Sequence, residues 1–327
     1  MLDKLKDTSQ RYKLLREPEI FAVARVEAAL LRGARNFFDK NKYTEVVVPH
    51  LTRATGSCEN MNTLFEVNYF GKRAFLSQTG QLYLESLIPE LKKVWCVGPS
   101  FRAEPESDSR HLTEFPLIEL EFQGEFDELL SEIENLTMTM IEEVLEDKKI
   151  KSVDRKRLEK IKIPFKKITY DEAVEELKNF GVKWGDDLKS KHEKYLVEKF
   201  GNQPLFITHF PISIKFFNMR KNEKNPKIVN SADLIFPFSG EAVGAAEREF
   251  EYQSVIKRLQ ESQMFKQLLK LGGNMEDFDW YLKYLKERSN VPHAGCGIGL
   301  NRVTQFILGT DDIRASTVYP LNSETLM

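Results

Sequence analysis

Cysteine is scarce in this chain: Cys58, Cys96 and Cys296 are odd in number, widely spaced, and form no CxxC pair or Cys/His cluster. A disulfide-stapled scaffold and a structural zinc site are excluded, and a reducing compartment is expected. An excess of one charge is also missing, since 48 Lys plus Arg against 50 Asp plus Glu leave a net charge of −2. No global field draws the chain to nucleic acid or to an anionic membrane, so such a partner would have to be met locally. Long hydrophobic runs are absent too. The opening MLDKLKDTSQRYKLL has no apolar signal core, and no stretch approaches the roughly 18 uninterrupted apolar residues of a membrane span. A cytoplasmic location without membrane attachment is expected. What is present is the balance of an ordinary globular chain, 41% apolar and 30% charged over 327 residues, with no repeat or low-complexity tract.

Pro18 stands near the first turn of a segment reaching about Lys40, whose apolar residues (Ile20, Phe21, Val23, Ala24, Leu30, Leu31, Phe37, Phe38) recur at three- and four-residue steps. This spacing predicts a long amphipathic helix. YTEVVV, from Tyr43 to Val48, predicts a strand stopped by Pro49. TLFEVNYF and RAFLSQ predict a hairpin around Gly71-Lys72, and VWCVG and FPLIELEF predict two strands around the polar loop PSFRAEPESDSRHLTE. Strands joined by loops instead of helices imply an antiparallel sheet, hence an α+β fold class. Helical spacing returns from Phe126 to Met140. Ten Lys or Arg against two acids between Lys148 and Lys167 mark residues 146–200 as a small basic insertion or hinge within one catalytic domain of residues 1–327. A solvated lysine-rich face is preferred there over a local nucleic-acid contact. LFITHF and VNSADLIFPF predict further strands, and CGIGLNRVTQFILG a Gly-rich turn followed by a helix.

Three strings carry chemistry. In FRAEPESDSRHLTEF, placing Arg102 and Glu104 on one strand points both side chains the same way, with Arg110 and His111 in the following loop and Phe115 at the return. A guanidinium for a phosphate, a carboxylate for an exocyclic amine and a ring for stacking make a nucleotide site. In DLIFPFSGEAVGAAEREFE, Asp233 and Glu241 suit Mg²⁺, and Arg248 suits a substrate carboxylate. In HAGCGIGLNR the spacing GxGxG is not a dinucleotide fingerprint; it reads as a strand over which a ligand lies flat, followed by Arg302 in the first turn of a helix, where it can stack on adenine opposite Phe115.

The order helix, strand, Pro49, then FRAE with RHLTEF, then GxGxGLxR resembles motifs one, two and three of the class II aminoacyl-tRNA synthetases. SCEN, SQTGQLYLE, IKFFNMR, the GE eight residues after Asp233, and VPHAG narrow the resemblance to the aspartyl/asparaginyl subclass, on the asparaginyl side, from about Glu17 to Tyr319. The resemblance implies that Arg102 binds the α-phosphate and the reacting carboxylate and Glu104 the adenine amine, that Arg110 and His111 reach the outer phosphates, and that Phe115 and Arg302 sandwich adenine. Leu112 and Gly299 fall within the same ATP-binding set, and Arg102 and Arg302 are the expected catalytic groups. It further implies Mg²⁺ on Glu241 and Asp233, the substrate ammonium on Glu59 and Gln81, and its side-chain end on Arg248.

Several departures shape the functional expectation. Only about twenty residues precede the first motif, where full synthetases of this subclass carry an anticodon-binding domain; Asn301 replaces a usual acid, Gly244 a hydroxyl residue, and the end reads YPLNSETLM. Leu84 occupies the position of the lysine that aspartyl enzymes use for the β-carboxylate, as it does in asparaginyl enzymes. The pattern is similar to the archaeal asparagine synthetases related to asparaginyl-tRNA synthetase. An ammonia-dependent, AMP-forming ligase is therefore expected, converting aspartate through β-aspartyl-adenylate, a homodimer with tRNA unlikely as a partner. The alternatives are aminoacylation of tRNA and a non-catalytic paralogue that binds amino acid or nucleotide.

Overall fold

The structure is a computed structural model that describes residues 2–53, 61–288 and 291–326. Its strands are Thr44–Glu45 (β1), Leu51–Thr52 (β2), Glu66–Tyr69 (β3), Lys72–Leu76 (β4), Lys93–Phe101 (β5), Glu114–Phe122 (β6), Lys166–Thr169 (β7), Leu205–Thr208 (β8), Ser231–Phe236 (β9), Gly240–Glu247 (β10) and Ala294–Gly299 (β11). They form an eight-stranded sheet, β1-β5-β6-β11-β10-β9-β8-β7, and a three-stranded sheet, β2-β4-β3. The large sheet is antiparallel from β5 to β8, and only its outermost pairs, β1 with β5 and β7 with β8, are parallel. The expected α+β class is what the chain adopts.

The helix Pro18–Lys40 coincides with the periodic segment, with Pro18 at its start and Val23, Val26, Leu30 and Phe37 buried along one stripe. It packs against the helix Phe126–Glu146, whose start carries a capping box between Glu125 and Glu128. Gly33 permits their close approach, because a Cβ there would lie 2.7 Å from Met140 Cα. These two helices and Leu300–Leu308 share one core with the large sheet, including Leu30, Trp95, Leu120, Ile133, Ile298 and Phe306. Among the described residues, no helix is long and apolar enough to cross a membrane.

The strand expected over Tyr43–Val48 shortens to two residues. After the Val46 N–H donates to Trp95 O (2.8 Å), the chain leaves the sheet ahead of Pro49, as an edge strand beside proline does. Residues 146–200 supply β7, the helices Tyr170–Glu176 and Ser190–Lys199, and a hydrophobic cluster of Ile168, Tyr170, Leu177 and Leu196 with Leu205 and Ile207 of β8. One basic side chain there is structural. Arg157 Nη2 donates to the carbonyls of Phe306 (2.6 Å) and Ile307 (3.0 Å), capping the end of the helix Leu300–Leu308, where the Gly309 N–H also donates to Phe306 O (3.3 Å).

Candidate active site

β5 and β6 pair from Lys93↔Phe122 to Phe101↔Glu114, so residues 102–113 form the loop that joins them. Arg102 and Glu104 therefore do not share a strand face: β5 stops at Phe101, and Pro105, which has no N–H for a ladder, comes right after Glu104. The loop is held instead by the Arg102 N–H on Thr113 O (2.8 Å), the Ala103 N–H on Thr63 O (2.7 Å) and the Glu104 N–H on Arg102 O (2.8 Å). Asp108 Oδ1 accepts from the N–H groups of Arg110 (2.7 Å) and His111 (2.9 Å), fixing the turn that presents both side chains. Leu112 is buried beneath them.

Arg302, in the first turn of its helix beyond the N-cap Gly299, donates to Ser239 O (2.6 Å) and Arg110 O (2.7 Å). Burial lowers its pKa to about 10, so it stays charged at neutral pH. It thus ties the β9–β10 turn to the loop after β5. The guanidinium that lies over the Phe115 ring is that of Arg102, at 5.1 Å. Arg110 pairs with Glu193 (3.3 Å), a buried acid from the helix Ser190–Lys199 that also accepts from the Glu241 N–H (3.4 Å).

Oxygen chemistry for Mg²⁺ is present in part. Glu241 is exposed, whereas both oxygens of Asp233 lie 2.7 Å from Lys215 Nζ. Burial acts to lower the Lys215 pKa, but Asp233 and Glu241 outweigh it and hold the ammonium charged. Glu241 therefore fits a metal-bound triphosphate, while Asp233 already has a cation. Among the described residues no group of three His, Cys, Asp or Glu side chains is gathered for a metal.

A second cluster, buried and polar, is drawn from distant segments and contains Arg248, the residue expected to hold the substrate's side-chain end. Arg248, just past β10, grips Glu121 of β6 through Nε (3.0 Å) and Nη2 (2.6 Å) and stands 4.0 Å from Glu85. Burial works against the Arg248 charge, but Glu121 and Glu85 hold its pKa above the ordinary range. Glu85 also accepts from Gln81 Nε2 (2.6 Å), Asn218 Nδ2 (3.3 Å) and the Tyr281 hydroxyl (2.7 Å), and faces His293 Nε2 at 3.4 Å. Burial alone would raise Glu85; His293, Arg248 and Tyr281 outweigh it and hold the carboxyl at about 2. Gly295 makes room for the cluster, since a Cβ there would sit 2.1 Å from Glu121 Cδ. That glycine serves an internal carboxylate and not only a flat ligand.

Glu119, two residues before Glu121 on the same strand face, accepts from the Gly80 N–H (2.7 Å) and Thr79 Oγ1. Gln81 lies at the start of the helix Gln81–Glu85, and Leu84 is buried among Val48, Ile88 and Val94. Glu59 lies outside the described residues. The site as folded thus contains Glu85, Glu119, Glu121, Tyr281 and His293, none of which was given a role, although Glu85 ends the string SQTGQLYLE and His293 lies in VPHAG. The acids at alternate positions of the apolar string LIELEF were the available signal for Glu119 and Glu121, and the string SQTGQLYLE for Glu85.

The antiparallel sheet flanked by helices, with the loop 102–113 and the buried Arg248 cluster set against it, is the architecture of class II synthetase catalytic cores. The chain matches the family of tRNA synthetases class II (D, K and N) over residues 3–323 and belongs to it. It is 37% identical over 319 residues to an asparagine–tRNA ligase of Pyrococcus abyssi, covering 95% of this chain and 70% of that protein. The crystal structure of asparaginyl-tRNA synthetase from Pyrococcus horikoshii complexed with asparaginyl-adenylate superposes with a TM-score of 0.87 at 36% identity, over 97% of this chain and 72% of that one. The asparaginyl-tRNA synthetase of Entamoeba histolytica, also with asparaginyl-adenylate, gives 0.84 at 30% identity, over 98% and 71%.

These relatives overturn the expectation of ammonia-dependent asparagine synthesis and, with it, the expectation that tRNA is an unlikely partner. That inference leaned on how much chain precedes the first motif, which carries no information about the chemistry of the site. Asn301, its second support, has a local explanation. Its Nδ2 donates to Glu27 of the helix Pro18–Lys40 (3.1 Å), a partner that an acid at this position would repel.

Proposed function

We propose that the chain activates asparagine with ATP and transfers the asparaginyl group to tRNA. The observation that carries the choice of amino acid is the capture of Arg248 by Glu121. Its positive charge is already matched, and Glu85 adds a second buried carboxylate beside it. A substrate carboxylate entering here would face two glutamates, one of them, Glu121, already pushed up to about 7 by burial, with the guanidinium engaged, whereas a neutral side-chain amide offers an N–H₂ to a glutamate and an oxygen to the guanidinium. His293, whose charged form is favoured by Glu85 and Glu121 against burial, brings the cluster close to neutrality. The asparagine–tRNA ligases among the relatives support the same reading.

In the first step a carboxylate oxygen of asparagine bonds to the α-phosphorus of ATP, the bond to the bridging oxygen breaks, and pyrophosphate leaves. Arg102 takes the charge that develops on the α-phosphate, Glu104, Phe115 and Arg302 hold adenine, and Arg110 and His111 face the departing phosphates. Glu241 would be the residue that holds Mg²⁺, and the ion would supply charge neutralisation to the triphosphate. In the second step a ribose hydroxyl at the tRNA 3′ end attacks the acyl carbon and AMP leaves. Gln81, bonded to Glu85, borders the substrate amine.

Pyrophosphate exchange into ATP tests the first step and charging of tRNA the second. Exchange is expected with asparagine and at least about 100-fold less with aspartate, the discrimination a matched hydrogen-bonding pocket provides. Exchange driven by aspartate and not asparagine, or asparagine exchange without charging, overturns the reading. Glu85→Gln, which removes charge but keeps the shape, is expected to narrow the asparagine-to-aspartate ratio by about tenfold.

A further inference from the structure

Between β10 and β11 the chain leaves the large sheet and forms the helices Tyr252–Glu261, Gln263–Lys270 and Asp279–Arg288. They have a hydrophobic cluster of their own, in which Val255, Leu259, Phe265 and Phe278 pack with Leu82, from the helix Gln81–Glu85, and with Phe217. Trp280 stacks on Tyr83 with ring centroids 5.0 Å apart and 10° between the planes, so the helix Asp279–Arg288 is docked on the helix that carries Glu85. The activation steps above assign no role to this segment.

Its polar side chains nevertheless reach Glu85 by two routes. Directly, the fully buried Tyr281 donates its hydroxyl to Glu85 Oε2 (2.7 Å), an oxygen that also faces His293 Nε2 at 3.4 Å. Indirectly, the buried Arg258 donates to the carbonyls of Phe216 (2.9 Å) and Met219, on either side of Phe217 and Asn218, and the Glu249 N–H holds Asn218 O (2.7 Å). Asn218 Nδ2 then donates to Glu85 Oε1 (3.3 Å). The two oxygens of this carboxylate therefore have separate partners. Oε2 is turned to the helical segment, whereas Oε1 is turned to Gln81 Nε2 (2.6 Å), Asn218 and Arg248 Nε (4.0 Å). The last torsion of a glutamate is broad, so a carboxylate keeps one oxygen in place only where its partners hold it. Without the Tyr281 hydroxyl, the partner left to Oε2 among the described residues is His293 at the longer distance.

We propose that Tyr281 is a positioning residue for amino-acid selection: its hydroxyl fixes Oε2 of Glu85, and this keeps Oε1 turned toward Gln81 and Arg248, where the side-chain end of the substrate is read. The inference rests on the reading of Glu85 and Arg248 as the selecting groups. It adds that the helical segment 252–288 sets the geometry of that selection from outside the motifs.

Equilibrium dialysis of the full chain against labelled asparagine, labelled aspartate and labelled Mg-ATP, each in turn, tests this without requiring turnover. The native protein is compared with Tyr281→Phe, Glu85→Gln and the double variant; Tyr281→Phe keeps the ring in its cluster and removes one hydroxyl. The ratio of asparagine to aspartate affinity is expected to narrow at least about fivefold in Tyr281→Phe, with the Kd of ATP within about twofold of native. In the Glu85→Gln background the same substitution is expected to change the ratio by less than about twofold, because the charge that Tyr281 orients is already gone. With a native chain that prefers asparagine, three results overturn the proposal and leave the asparagine reading standing: an unchanged ratio in Tyr281→Phe, effects that multiply in the double variant, or an ATP Kd raised as much as that of asparagine. A native chain that prefers aspartate overturns the asparagine reading, while the same coupling between Tyr281 and Glu85 still supports the positioning role. A native chain with no preference overturns both.

Discussion

The two ends of the site are built on opposite plans. At the amino-acid end Glu85, Glu121, Arg248 and His293 are almost wholly buried, arrive from separate segments, and bind one another. At the nucleotide end Arg102, Glu104, Arg110 and His111 sit in one half-buried loop held mainly by backbone hydrogen bonds. Under the proposed function the difference follows from what each end would recognise. Two side chains of nearly equal shape are told apart only by charge and hydrogen bonding, so the discriminating field has to be in place before substrate arrives. A triphosphate brings several charges of its own and needs only cations within reach.

Three substitutions sharpen or break this contrast. The largest effect is expected from Arg248→Ala, which leaves Glu121 and Glu85 buried without their cation: a loss of about 3–5 kcal/mol in denaturant unfolding. Asparagine-dependent exchange should fall below detection while ATP binding by the folded fraction persists; unchanged asparagine turnover would mean that the substrate clamp has been misplaced. Next, Arg302→Ala should lower kcat/KM for ATP by about 100-fold, the cost of a lost charged contact in the transition state, with little change in the asparagine-to-aspartate ratio. A shifted ratio would show that the two ends are coupled and not separately built.

The smallest effect concerns the rear of the nucleotide end. Burial raises Glu27 to about 7 although Thr317 and Asn301 donate to it. A carboxyl with its folded pKa raised above the unfolded value binds protons more tightly when folded, so its contribution to stability falls as pH rises from about 4.5 to 7. Asn301→Asp sets a second carboxyl against it and should cost about 1–3 kcal/mol at pH 8 and clearly less at pH 5, read by urea unfolding at both values. An equal loss at both would assign the effect to packing.

Much of the fold was legible because periodic segments carry their own evidence. The helix Pro18–Lys40 and the pair β5–β6 follow from local spacing, and the composition and turns gave the antiparallel α+β class. The strand after Tyr43 was over-read, because β-branched residues mark an extended chain but not the partner needed to make a ladder. Arg102 and Glu104 were placed on a strand by a rule of alternation that ends where the ladder ends. Glu119 and Glu121 had a visible sign, two acids on one face of an apolar strand, while Glu85 stood at the end of the string SQTGQLYLE with nothing local to show that it would meet Arg248, Tyr281 and His293. The functional expectation failed where it rested on length and tail and not on the pocket.

By itself the sequence determined the elements and the order of the motifs, since helix period, turn residues and short strings such as FRAE are properties of neighbouring residues. Only the tertiary structure decided what the pocket's charge would be. Arg248 and Glu121 stand 127 positions apart, and Glu85 meets Tyr281 across 196. An electrostatic field is the sum over groups brought together in space, inside a medium that screens them weakly, and no local pattern contains that sum.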